Sequence, residues 1–380
     1  MKTEQFCWTS DQDWGVRLPD QAALSPQLVL VFGELGHDPA IAALAPLRQV
    51  YPNAIWLGCS TAGEICDTRV REASLVVTAI EFEHTAVQSY GIQHQSGENS
   101  FAAGQRLARA FDPDGLRHVF VLSDGIHING SDLVRGLIDQ LPPSTTVTGG
   151  LAGDGDRFEK TTVLWNDQAE PELVAAVGLY GDRCQVGFGS WGGWTTFGPK
   201  RMITRSKDNV LYEIDGQSAL GLYKKYLGDH ASELPASGLL FPLNLSLEDD
   251  SDRAVVRTIL GVDEAEQSMT FAGNMPEGAS VQLMRGNTSR LVDGAIAAAE
   301  NSTANPTHTD PDLAILISCV GRKLVLKQRV EEEIEGIREV LGDRTCLTGF
   351  YSYGEIAPSG VGCAPELHNQ TMTITTLSER

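Results

Sequence analysis

Apolar residues in this chain gather in short runs that end at glycine or at a turn. Leu28-Val29-Leu30-Val31-Phe32 runs into Gly33 and reads as a buried strand. Asp38-Pro39 reads as an N-cap with proline at the first helical position. Ile41, Leu44, Leu47 and Val50 then form a helical stripe, which Pro52-Asn53 ends. Ala54 to Leu57 is a second strand, feeding the stretch Gly58-Cys59-Ser60-Thr61-Ala62-Gly63-Glu64-Ile65, and Ser74 to Phe82 is a third. Residues 1–23 are polar, with Trp8, Trp14 and Pro19, and carry no assigned element.

The same order recurs twice. His118 to Leu122 is a strand ending in Ser123-Asp124-Gly125. Leu133, Leu137 and Leu141 place one apolar face on a helix from Asp132 to Leu141. Thr145 to Thr148 leads into Gly149-Gly150-Leu151-Ala152-Gly153-Asp154-Gly155, and Lys160 to Trp165 is a strand. Near the C-terminus, Leu313 to Ser318 is a strand ending in Cys319-Val320-Gly321-Arg322, and Val330 to Leu341 is a Glu-rich helix. Thr345 to Thr348 leads into Gly349-Phe350-Tyr351-Ser352-Tyr353-Gly354-Glu355-Ile356, and Gln370 to Leu377 closes the chain. Each unit has about the length of a strand-helix-strand element. Repetition of one ancestral unit and ordinary α/β recurrence both fit the pattern.

Different material lies between the second and third copies. Leu173 to Leu179 is a strand. Cys184 to Trp194 is rich in glycine and carries Trp191 and Trp194, which read as core slightly ahead of a stacking role. Met202 to Thr204 and Asn209 to Ile214 form a hairpin, and Ser218 to Tyr226 is a helix. Leu239 to Leu247, Ala254 to Leu260, Ser268 to Phe271 and Ser280 to Met284 are strands, Ser289 to Glu300 a helix, and residues 301–310 an exposed loop. The fold class that follows is α/β, with mixed sheets built from repeated strand-helix-strand units and an antiparallel section in the second half. A boundary near 180 separates a domain at 1–180 from one at 181–380; the sequence leaves open whether the last copy packs against the first, making the two halves one composite body, or stays within its own half.

Charge narrows the function. Lys plus Arg number 29 against 50 Asp plus Glu, a formal charge of -21, which argues against nucleic acid and against docking on anionic lipid. No apolar run approaches the length of a membrane-spanning helix, and the N-terminus lacks the pattern of a signal peptide. Seven cysteines with no Cys-x-x-Cys pair are no disulfide framework. These features predict a soluble protein of a reducing compartment, hence cytoplasmic and without membrane insertion.

The glycine-rich turns sit at the C-terminal ends of strands, where open α/β sheets bind ligands. Glycines there, Gly149 and Gly150 among them, let backbone amides approach a ligand. Glu64, Asp154 and Glu355 stand beside that backbone, either to accept bonds from a ligand or to cap their own turns. Arg322 offers a two-bond fork for a carboxylate, although a lone arginine is more often a surface ion pair, and Tyr351 and Tyr353 add ring surface. Cys319 is a candidate nucleophile only with a base nearby; a small buried thiol is the plainer account. The eight histidines make no metal-binding spacing, although haem needs only one axial side chain. His127, after a strand end, and His368 are the two candidates, each more often a hydrogen-bonding histidine. Walker, Rossmann, Gly-x-Ser-x-Gly and metalloprotease signatures are missing.

Several of these stretches, Gly58 to Ile65 and Thr148 to Gly153 among them, resemble the N-terminal half of the FIST domain family. Leu211-Tyr212-Glu213-Ile214-Asp215-Gly216 fits the opening of its C-terminal half. Cys319-x-Gly321-Arg322, Glu333, Gly349 to Pro358 and His368-Asn369-x-Thr371 follow that half's pattern in order. The resemblance runs from about residue 25 to 377. It implies a sensory module of bacterial and archaeal signalling that binds a small ligand such as an amino acid. One branch senses nitric oxide through haem and works with a separate histidine kinase or cyclic-dinucleotide enzyme, so haem is a candidate cofactor and such an enzyme a candidate partner. The competing readings are a thiol-dependent hydrolase using Cys319 and a non-catalytic interaction scaffold.

Overall fold

The structure is a computed structural model and describes residues 1–14, 18, 23–36, 38–95, 97–246, 254–304, 310–360 and 362–380. The first repeat comprises β1 (Lys2–Thr9), β2 (Leu28–Gly33), α1 (Asp38–Ala43), α2 (Ala45–Val50), β3 (Ile55–Cys59), β4 (Glu64–Cys66), β5 (Arg69–Arg71) and β6 (Ser74–Glu81). The second comprises β7 (Ala86–Gln93), α3 (Ser100–Ala108), β8 (Leu116–Ser123), α4 (Gly130–Gln140), β9 (Thr146–Leu151), β10 (Val163–Trp165), β11 (Gln168–Glu170) and β12 (Leu173–Tyr180). The third opens with β13 (Cys184–Trp191). After an inserted region it continues as α6 (Thr288–Ser302), β14 (Leu313–Cys319), α7 (Val320–Leu326), α8 (Val330–Leu341), β15 (Cys346–Ser352), β16 (Gly354–Pro358), β17 (Pro365–His368) and β18 (Met372–Glu379). The inserted region is a nine-stranded antiparallel sheet with strands from Thr195–Thr196 to Ser280–Arg285. It packs on helix α5 (Ala219–Leu227) around its own core of Ile203, Leu211, Leu220, Tyr223 and Phe271.

Three six-stranded sheets have one topology, and each is completed by a hairpin from another repeat. Their orders are β1-β6-β2-β3-β10-β11, β7-β12-β8-β9-β16-β17 and β13-β18-β14-β15-β4-β5. In each, the single parallel pair is the strand-helix-strand unit itself (β2 with β3, β8 with β9, β14 with β15). The first repeat's hairpin β4–β5 joins the third repeat's sheet, the second's β10–β11 joins the first, and the third's β16–β17 joins the second. The three repeats therefore interlock in a closed ring, and the two ends of the chain form one body.

Backbone detail repeats with the topology. Gly58, Gly149 and Gly349 lie opposite Val31, Val121 and Leu316. A Cβ on any of them would stand 2.1, 1.8 or 1.8 Å from the facing carbonyl oxygen, so only glycine fits. Ala73, Glu172 and Gln370, each just before the next strand, share left-handed φ values of 51, 55 and 65°. The sheets' inner faces meet in one core, where Leu30, Phe32, Phe120, Leu122, Ile315 and Phe350 pack together. Val29 and Val31 point the other way, onto Leu44 at the junction of the two outer helices and Leu47 of the second, the alternation expected of a strand buried on both faces.

Several expectations change. The polar leader contains β1, paired with β6 over eight residues. On one face of this strand Gln5 meets the third repeat's sheet, bonding the Leu347 carbonyl and the Cys66 thiol. The stripe from Ile41 to Val50 is two short helices, because Pro46 at the start of the second has no N–H for the first to continue through. The Asp38 side chain, and residues 305–309 of the expected loop, lie outside the described residues. Leu239 to Leu247 divides into a 3-10 turn (Ala236–Leu240) and a strand (Leu243–Ser246), with residue 247 outside the description. Trp191, expected in the core, is 52% exposed, whereas Trp194 is part-buried and donates to the Gln370 carbonyl.

Candidate functional site

A cleft of about 690 Å³ opens where the first glycine turn faces the helix of the third repeat. Thr61, Ala62, Gly63 and Glu64 form one wall, and Val320, Lys323, Leu324 and Lys327 the other; Asp156 and Arg157 reach in from the second repeat. Lys323 follows from the fold: β14 ends at Cys319, α7 begins at once, and its first turn aims the lysine across the ring of repeats. Its Nζ donates to the Ala62 carbonyl at 2.6 Å and pairs with Glu72 at 2.5 Å. Gly63, with φ of 135°, lies directly against it, and a Cβ there would stand 2.9 Å from Nζ.

Glu64 forms the floor and is 2% exposed. Thr61 Oγ1 donates to Oε1 at 2.5 Å and Ser74 Oγ to Oε2 at 2.6 Å. Burial raises its carboxyl to about 7, against the hydroxyl bonds and Lys323, which favour the charged form. The cleft thus holds Arg157, Lys323 and Lys327 beside Glu34, Glu72, Asp156 and a carboxyl that titrates near neutrality.

The other expected site residues go elsewhere. Gly149 and Gly150 are buried in β9, packed on Val121 and on Ile317 and Phe350. Glu355 is fully buried, accepting from Ser352 Oγ at 2.6 Å and from Thr371 Oγ1 and N at 2.8 and 3.1 Å. Desolvation raises it to about 8. Arg322 is fully buried and fully partnered. It donates to Glu333 at 2.7 and 3.2 Å, to the Leu291 carbonyl at 2.7 Å and to the Gly192 carbonyl. Tyr351 donates to the same Glu333 at 2.7 Å, so both residues belong to an internal network. Tyr353 donates to Asp154 and stacks on Phe158 at 4.3 Å. Cys319 is 1% exposed, and burial, then the Glu355 charge, push its thiol well above the usual range.

His368 is buried, donates Nε2 to the Ala357 carbonyl at 2.9 Å, and is kept neutral by desolvation. His127 has Nδ1 at 3.2 Å from Asp124 and lines a second cleft of about 460 Å³ beside the inserted sheet. That cleft carries Glu98, Asp132 and Asp208. Glu98 and Asp132 are paired with Arg106 and Arg135, and among the described residues the lining holds no lysine or arginine to take a haem's propionates, so the residues present do not fit haem. Among the described residues no group of three His, Cys, Asp or Glu side chains is arranged to hold a metal ion.

Residues 27–217 match the FIST N domain and residues 219–358 the FIST C domain. The chain belongs to the FIST family. No curated relative matched. Among solved structures, a cyanuric acid hydrolase described as "evolutionary innovation by structural concatenation" is 11% identical with a TM-score of 0.33. That match covers 100% of this chain and 99% of the hydrolase. The cyanuric acid hydrolase from A. caulinodans is 9% identical with a TM-score of 0.19, covering 78% and 99%. No helix among the described residues of this FIST protein is long and apolar enough to cross a membrane.

Sequence reasoning missed Lys323, Lys327, Arg157 and Thr61. Lys323 follows Arg322 directly, and the cue was its place in the first turn after a strand end. Arg157 lies in a loop present only in the second copy: Gly58 and Glu64 are six positions apart, but their register equivalents Gly149 and Val163 are fourteen apart. Asp154 belongs to that longer loop, where its carboxylate accepts the Phe158, Glu159 and Lys160 amides. It is therefore no counterpart of Glu64.

Proposed function

We propose that this FIST protein is a sensor whose cleft between the Gly63 turn and α7 takes a small molecule bearing both charges, of the size and kind of an amino acid. The observation carrying this reading is the cleft's mixed lining: Lys327 and Arg157 offer a carboxylate its partners, Asp156 offers an ammonium one, and the Lys323–Glu72 pair opens to take both charges. The walls come from different repeats, so a bridging ligand stabilises one spacing of the first turn against the third repeat. A separate histidine kinase or cyclic-dinucleotide enzyme reads that spacing. Calorimetric titration with the common amino acids, and with their deaminated and decarboxylated analogues, tests the reading. One or more amino acids bind, and each analogue binds at least about tenfold more weakly, near 1.4 kcal/mol. Lys323→Met weakens the amino acid by a similar factor. Failure of every amino acid to bind, or full affinity in Lys323→Met, removes the proposal.

A further inference from the structure

The second cleft, of about 460 Å³, lies between the strand-end loops of the second repeat and the inserted sheet. Its place in its repeat matches that of the first cleft. Ile128 and Lys323 stand equally far beyond Val121 and Leu316, which face the equivalent glycines Gly149 and Gly349, and each lines its own cleft. Where the first cleft has a cation, the second therefore has a buried aliphatic side chain. Ile126, Leu260 and Phe271 extend the apolar surface, and Phe158, stacked on Tyr353 at 4.3 Å, adds a ring. Three polar groups on this lining have bonding capacity left. His127 holds Nδ1 at 3.2 and 3.3 Å from the two Asp124 oxygens, so the neutral ring carries its proton there and leaves Nε2 to accept. His94, just beyond β7, has a buried Nε2 with no hydrogen-bond partner, the mark of a missing one. Glu98 and Asp132 are held by Arg106 and Arg135 at 2.8 and 2.9 Å, which leaves Asp208 as the cleft's carboxylate without an ion pair among the described residues. No lysine or arginine among the described residues lines this cleft.

From this lining we propose that the second cleft binds an arylalkylamine whose ring carries a hydroxyl or N–H group. The ring lies against Ile126, Ile128, Phe158 and Leu260. Its hydroxyl donates to Nε2 of His127, and its ammonium meets Asp208. A carboxylate finds no cation on the wall, so the two clefts divide amines from amino acids. The chain's formal charge of -21 favours approach of a cation. The two anchors belong to different parts of the molecule, His127 to the second repeat and Asp208 to the inserted sheet. Those parts already touch beside the cleft, where Asn129 donates to Asn274 Oδ1 at 2.6 Å and Asn274 to Asp132 Oδ1 at 2.8 Å. The bound amine is a further tie between them, so it favours the closed spacing of sheet and repeat. The second cleft shares no lining residue with the first and does not depend on what the first one takes.

Calorimetric titration of the full chain with tyramine tests this, beside phenethylamine, which lacks the ring hydroxyl, and 4-ethylphenol, which lacks the ammonium. Tyramine binds at one site, and each analogue binds at least about tenfold more weakly. His127→Phe weakens tyramine by about tenfold and leaves phenethylamine unchanged, because only the hydroxyl's partner is lost. Asp208→Asn weakens tyramine and leaves 4-ethylphenol unchanged; asparagine tolerates the left-handed φ of 54° at this turn, so the fold is kept. The proposal is overturned if tyramine at millimolar concentration fails to bind the wild-type chain, or if it binds both variants with full affinity. It also falls if Lys323→Met abolishes tyramine binding, since the amine would then sit in the first cleft. Failure of every amino acid to bind the first cleft would leave these results as they stand.

Discussion

Glu64 and Glu355 occupy the same position in two repeats. Glu64 lies opposite Phe350 and Glu355 opposite Gly150, residues that are themselves equivalent. Each accepts from a hydroxyl three residues earlier, Thr61 or Ser352, and from a hydroxyl at the start of the following strand, Ser74 or Thr371. The register equivalents in the second repeat are Val163 for the glutamate and Leu173 for the later hydroxyl, both buried. Acid and donor are present together twice and replaced together once. A buried carboxyl without donors costs several kcal/mol, and orphaned donors carry their own penalty.

The pH dependence of stability follows from these two acids. Burial raises Glu64 to about 7 and Glu355 to about 8, from an ordinary value of 4.5. The folded state then binds more protons than the unfolded state between pH 4.5 and 8, so their effect on stability worsens as pH rises through that window. Glu355→Gln, an isostere of the protonated acid, should flatten this slope. Denaturant unfolding of wild type and variant at pH 5 and pH 8 measures it. The variant should lie closer to wild type, or below it, at pH 5 and should gain on it by a few kcal/mol or less at pH 8. An unchanged pH profile would mean that Glu355 is ionised throughout.

Arg322 and Glu333 form a closed internal network rather than a ligand clamp. Removing one partner leaves a buried charge uncompensated, at a cost of about 3–5 kcal/mol. Arg322→Ala should therefore lower the unfolding midpoint sharply, and Arg322→Met paired with Glu333→Leu should recover part of the loss. Ligand affinity of whatever folded protein remains should be unchanged. A weakened ligand with normal stability would return Arg322 to the site.

Much of the architecture was readable because it rests on local patterns. Leu28 to Phe32 and Leu313 to Ile317 are continuous apolar runs, although the glycines that open the expected turns, Gly58, Gly149 and Gly349, lie inside β3, β9 and β15. The ring of exchanged hairpins was not readable, since the pairing of Glu64 with Phe350 spans most of the chain and leaves no local mark. The site shifted for the same reason. Tyr351, Tyr353 and Arg322 look like ligand chemistry in isolation, but their partners Glu333, Asp154 and Leu291 come from other elements and enclose them. Lys323 looks like a surface lysine until α7 is placed beside Gly63.

The interlocked sheets make a prediction for fragments. A chain of residues 1–180 keeps the first repeat's sheet whole, because β10–β11 comes from the second repeat. It leaves β4–β5 without β15, and β9 with a bare edge where β16 should pair. Bare edges of this kind favour association. The fragment should sediment as aggregates or unfold without cooperativity, and the intact chain should show amide protection in β4 that the fragment lacks. A monomeric fragment with a sharp transition would refute the mutual dependence of the repeats.

The second repeat offers the strictest test of the equivalence. Val163→Glu places a carboxyl at the position of Glu64 and Glu355, but with Leu173 where they have a hydroxyl. The buried acid should cost several kcal/mol. Leu173→Thr alone creates a buried hydroxyl without an acceptor and should cost about 1–3 kcal/mol, plus the lost packing. If Val163 occupies the acid's place, the double variant should be less destabilised than the sum of the two, with a coupling of about 0.5–3 kcal/mol measured by denaturant unfolding. The favourable coupling should be larger at pH 8, where the carboxyl is more often charged and gains more from a donor. Simple additivity at both pH values would mean that the second repeat has diverged in backbone as well as in side chains, and that the shared register does not carry a shared site.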